Sequence, residues 1–115
     1  SMQDAFEGLL KFNTLDAAEQ TLLDIHGRFC RYRNQGDRVG LERCREIILK
    51  GKKRALMISR NRRVHADKRQ EKAEIAQWFT VWLQTPDIFA DWLALRKQSP
   101  EFQDRFGGAG TKHSP

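Results

Sequence analysis

The chain has 115 residues, 39% of them apolar, with a formal charge of +6 and a pI near 9.7. That length suits a single domain with its own core, and the basic balance points toward an anionic partner. No apolar run reaches 18 residues and no basic-then-apolar start is present, so neither a membrane span nor a secretory signal is expected.

In chain order, a short helix is expected over 3 to 11. Asn13 and Thr14 then offer side-chain oxygens to the orphan amides of a helix over 14 to 33. Its apolar stripe is Leu15, Ala18, Leu22, Ile25, Phe29 and Tyr32, at alternating spacings of three and four. "NQGD" at 34 to 37 reads as a turn in which Asp37 caps the next helix, over 38 to 60. That helix carries Leu41, Cys44, Ile48, Gly51, Ala55 and Ile58, with Leu49 and Leu56 widening the arc as in a central helix touched from two sides. Gly51, inside the stripe, implies close approach of a neighbour or a kink.

A helix over 67 to 84 would bury Ile75, Trp78, Phe79, Trp82 and Leu83, and one over 87 to 97 would bury Ile88, Phe89, Trp92 and Leu95. Thr85-Pro86-Asp87 and Ser99-Pro100-Glu101 have the order of a helix start: a hydroxyl acceptor, proline at N1, then an acid facing the dipole. A one-turn helix after Ser99 adds Phe102 and Phe106, and the glycine-rich end from Gly107 reads as a flexible tail. No segment alternates with period two. The expected fold is all-α: a compact bundle of about five helices with short terminal helices, a single domain over 1–106 with a tail over 107–115.

Catalysis has few parts to draw on. His26, His65 and His113 are far apart in sequence with no metal-ligand spacing, and Cys30 and Cys44 lack a CxxC arrangement. The two cysteines read as buried thiols of a reducing compartment, with a disulfide between antiparallel helices as the alternative. Asp87 and Asp91 share a helix face, yet the helix start already accounts for Asp87. No enzyme activity, cofactor or metal is therefore expected, and the setting is taken as cytoplasmic.

The charge distribution is more informative. From Lys50 to Ala66 the chain has seven Lys and Arg and no acid. Between Arg43 and Lys72 twelve cations face only Glu46, Asp67 and Glu71, a local +9 that leaves the rest of the chain net acidic. Part of this has a structural account. Glu46 pairs favourably with Lys50, arginines at a helix end complement its carbonyls, and Lys52 can lay its methylenes on the core. Lys50, Lys53, Arg54, Arg60, Arg62, Arg63, Lys68, Arg69 and Lys72 remain as candidate phosphate contacts, gathered at one end if the two long helices form a hairpin. Lys68, Arg69, Gln70 and Lys72 also suggest the first turns of a recognition helix, although the loop at 61 to 66 is longer than a tight helix-turn-helix turn.

The expected function is thus a non-enzymatic helical module that binds nucleic acid, DNA or RNA, mainly through phosphates. The alternative is a protein–protein adaptor, with an acidic protein surface on the basic end or a partner (a second copy included) on an exposed aromatic patch. No membrane partner is expected.

Overall fold

The computed structural model describes residues 14–107. The short helix expected over 3 to 11, Asn13 and the tail beyond Gly107 lie outside the described residues. Three long helices come first: α1 (Leu15–Asn34), α2 (Arg38–Ser59) and α3 (Ala66–Gln84). A 3₁₀ turn (Pro86–Ile88) leads into α4 (Phe89–Gln98), and the short α5 (Pro100–Phe102) runs on into a π turn (Gln103–Gly107). Among the described residues there is no strand. The protein is an all-α bundle, as the periodicity requires.

Local chemistry sets most of these boundaries. The Thr14 hydroxyl accepts from the Ala17 amide at 3.1 Å, and the Asp37 carboxylate accepts from the Gly40 amide at 2.9 Å. Gly36, at φ 68°, supplies the left-handed residue that closes the α1–α2 turn. Gly40 is required for another reason. A Cβ there would stand 2.4 Å from the Tyr32 ring, so the ring seats directly on the α2 backbone. The Ser99 hydroxyl accepts from the Phe102 amide at 3.2 Å, as its sequence context predicts.

Thr85 behaves differently from the expectation. Its hydroxyl donates to the Val81 carbonyl at 3.1 Å, closing the end of α3 rather than capping the next element. That element is a 3₁₀ turn, and its tighter winding shifts the phase of α4. Ile88 (54% exposed) and Leu95 (70% exposed) therefore face outward, while Phe89 and Leu93 are buried. Asp87 reaches the Arg33 guanidinium of α1 at 2.7 Å, and that bond lowers its carboxyl pKa.

The core joins Ala18, Leu22, Ile25 and Phe29 of α1 to Cys44, Ile47, Ile48 and Ala55 of α2. Ile75, Trp78, Phe79 and Trp82 of α3, with Phe89, Leu93 and Phe102, complete it. α2 meets both α1 and α3, but the helix at the centre is α3, which touches α1, α2, the 3₁₀ turn and α4. Leu49 is exposed and Leu56 half-buried, so the arc on α2 is narrower than its composition suggests.

Polar contacts pin this core. The buried Glu74 carboxylate takes both the Arg96 Nη2 (2.7 Å) and Nε (2.8 Å) bonds, and accepts the Trp78 indole at 2.8 Å. Arg96 also reaches Glu101 at 3.4 Å, so α3, α4 and α5 meet at one guanidinium, which these carboxylates hold charged. Lys97 pairs with Glu19 of α1 at 2.6 Å. Between α1 and α3, the Trp82 indole donates to His26 Nδ1 at 3.1 Å, while His26 Nε2 lies 3.5 Å from the Cys30 sulfur.

Removing one partner of a buried charge pair strands the other. Glu74→Ala should destabilise the fold by about 3 kcal/mol in urea unfolding, whereas Glu101→Ala, at the exposed end, should cost under about 1 kcal/mol. Acid should weaken the fold through His26. Nδ1 of His26 must be bare to accept the indole, and burial lowers the imidazole pKa below 6.5. The native state thus resists a proton that the unfolded chain accepts. Stability from this group is complete above pH 6.5 and is lost as pH falls through the native pKa. The melting temperature should accordingly drop on acidification from neutrality, and His26→Phe should show a shallower drop over that interval.

Candidate functional site

α2 and α3 form the antiparallel hairpin that the charge distribution requires, and residues 60 to 65 connect them. Short hydrogen bonds fix this connection. The Arg60 amide donates to Leu56 O at 3.1 Å, Asn61 N to Ile58 O at 3.1 Å, and Val64 N to Asn61 O at 3.0 Å. The Asn61 side-chain oxygen accepts from the Arg63 amide at 3.0 Å, as Asn does in turns. His65 then caps α3, its Nδ1 accepting from the Asp67 amide at 3.2 Å. Half-buried Val64 anchors the loop, while Arg60, Arg62, Arg63 and His65 are exposed.

Along the last turns of α2, Lys50, Lys53 and Arg54 follow i, i+3, i+4 spacing and share one outward face of roughly 100° of arc. Met57 stands among them, 68% exposed. The sequence carried this signal too, since Met57 lies three and four residues beyond Arg54 and Lys53, on the polar side of the helix. Among the described residues, Lys53, Arg54, Arg60, Arg62 and Arg63 enter no ion pair. Four other cations are engaged, Arg33 with Asp87, Arg96 with Glu74, Lys97 with Glu19 and Arg105 with Glu101, while exposed Arg31 and Arg38 also enter no ion pair among the described residues.

The α3 side of the hairpin departs from the expectation. Lys72 is only 4% exposed, and its pKa is lowered by burial and by Lys68. It precedes Ile75 by three residues and Phe79 by seven, which puts it on the core face, so it leaves the set of surface cations. Lys68 is exposed but pairs with Glu71 at 3.3 Å. Arg69 is half-buried, with its Nε covered and unpartnered beside a hollow of about 310 Å³ lined by Ser59, Ala66, Gln70 and Ala73. The recognition-helix arrangement therefore does not form. The exposed cations of this end that enter no ion pair belong to α2 and the loop. Farther along α2, Arg45 is engaged over the Phe29 ring, 5.6 Å from its centroid.

The aromatic alternative also changes. Trp78, Phe79, Trp82, Phe89 and Phe102 are buried, and Trp92 and Phe106 pack against them, so these rings form core rather than an exposed docking patch. Among the described residues no group of three His, Cys, Asp or Glu could hold a metal ion, and no helix is long and apolar enough to cross a membrane.

Compared with protein-family models, curated proteins and solved structures, the chain matches none of them.

Both thiols are free, Cys30 half-buried and Cys44 buried. Burial pushes the Cys44 pKa up to about 11, away from the thiolate that nucleophilic chemistry needs. Titration of the native protein with an aromatic disulfide reagent near pH 8 should label one thiol promptly. The second, Cys44, should react only when the chain unfolds.

Proposed function

We propose that the protein is a non-enzymatic module that binds nucleic acid through phosphate contacts, using Lys53, Arg54, Arg60, Arg62 and Arg63, with Lys50 beside them. One observation carries this reading: five exposed cations without an ion-pair partner among the described residues gather at one end of a helical hairpin. Arg60, at the α2 C-cap, has the helix carbonyls nearby, and the others stand clear. Such a group is ready to displace the counterions of a polyanion.

The loop supports the reading in a second way. Its backbone is set by its own hydrogen bonds before any ligand arrives, so ordering it adds little to the cost of binding. A reducing cytoplasmic setting is part of the proposal and fits the two free thiols.

A titration against mixed-sequence DNA and RNA at increasing salt tests the proposal. If all five cations meet phosphates, log K should fall against log salt with a slope of about −4 to −5. Arg60→Ala/Arg62→Ala/Arg63→Ala should flatten that slope by about two to three, with the fold intact by circular dichroism. No binding at low salt would overturn the proposal. So would a stoichiometric acidic protein that copurifies through this end and survives nuclease treatment, the adaptor reading being then the correct one.

A further inference from the structure

The kind of nucleic acid can be argued from what the basic end lacks as well as from what it holds. Between Arg43 and Lys72 there is no Phe, Tyr or Trp. Proteins that grip single strands track the backbone with cations, but they hold the bases on exposed aromatic rings. Here the tryptophans belong to the core: Trp78 and Trp82 are buried, and Trp92 packs on the core beside Phe89. His65 is the one ring in the segment, and its Nδ1 is turned to the Asp67 amide as a helix cap.

Apart from arginine, which binds guanine edges as readily as phosphate, readers of base edges are few on the same surface. Over residues 50 to 63 the single amide side chain is Asn61, and its oxygen holds the Arg63 amide at 3.0 Å. A row of cations on a stiff support remains. From Lys53 to Arg60 the helix rises about 10 Å, close to the roughly 12 Å width of a B-form major groove. The loop arginines extend the row past the end of α2.

We infer that the basic end takes the backbone of a double-stranded nucleic acid, with Lys53 and Arg54 on phosphates of one groove edge and the loop arginines on the other, without reading sequence. This rests on the phosphate-binding function proposed above. The α2 face supplies the spacing, and the segment from 43 to 72 offers no Phe, Tyr or Trp on which the bases of a separated strand would stack. Met57, exposed amid the cations, packs over sugar edges without selecting a base.

Fluorescence anisotropy with the full chain and probes of equal length separates the cases: two unrelated DNA duplexes, one RNA duplex, and single-stranded DNA and RNA. At least one class of duplex should bind about fivefold or more tighter than either single strand, and the two DNA sequences should agree within about twofold. Single strands that bind as tightly as every duplex, or a large preference for one sequence, would overturn the inference while leaving phosphate binding standing. Binding to none of the probes would overturn both. A gain-of-function variant adds an independent reading. Met57→Trp places a ring in the row of cations and should raise single-strand affinity about fivefold or more. An unchanged single-strand affinity would overturn the inference.

Discussion

The fold depends on one carboxylate. Glu74 is buried in the middle of α3 between Ile75, Trp78 and the guanidinium of Arg96, and its two oxygens answer both the guanidinium and the indole. Two parallel bonds to Arg96 fix both the distance and the rotation of α4 against α3, because a fork-to-fork pair tolerates little sliding. The indole bond sets the Trp78 rotamer, which in turn gives Phe102 a surface to stack on, 6.4 Å between centroids. A two-helix contact built from aliphatic side chains alone would permit neighbouring registers. This polar clasp selects one of them.

Much of the bundle was legible in the sequence because its long helices present one apolar face each. The α1 stripe from Ala18 to Phe29 is the clearest case: each residue at a three- or four-residue step is buried. Legibility failed where the winding changed or where partners were distant. The 3₁₀ turn at Pro86 alters the phase, so the pattern that nominated Ile88 and Leu95 pointed outward, and Leu93 took the buried place. No local pattern could have paired Glu74 with a residue 22 positions away. Lys72 is a different failure. Its spacing to Ile75 and Phe79 marks a buried position, while its charge suggests an exposed one, and the spacing prevails.

The candidate site was legible in composition and only partly in geometry. The acid-free run marks one end of the hairpin, since a long amphipathic helix, a polar loop and another amphipathic helix must fold back on themselves. Which cations stay at the surface depends on rotation about α3, which charge counting ignores. Lys72 went inward, Lys68 found Glu71, and Arg69 lay half-buried along the helix pair. The remaining set belongs to α2 and the loop, where the helical face and the turn hydrogen bonds agree on direction.

Partition of charge between the two regions reflects where carboxylates lie. Glu19, Glu74, Asp87 and Glu101 all engage cations from outside the 50-to-66 segment, tying α1, α3, α4 and the C-terminal turns together. With no acid inside the segment, Lys53, Arg54, Arg60, Arg62 and Arg63 enter no ion pair among the described residues, and their like charges repel one another in the folded state. Such repulsion persists only where the backbone holds the groups regardless, and here α2 and the bonded turns of the loop do so. α3 connects the two regions: His65 fixes where it begins, and Glu74, about two and a half turns later, fixes where it lies against α4. The surface that carries the unpaired cations of the hairpin end is therefore positioned by the part of the molecule where Glu74 clasps Arg96.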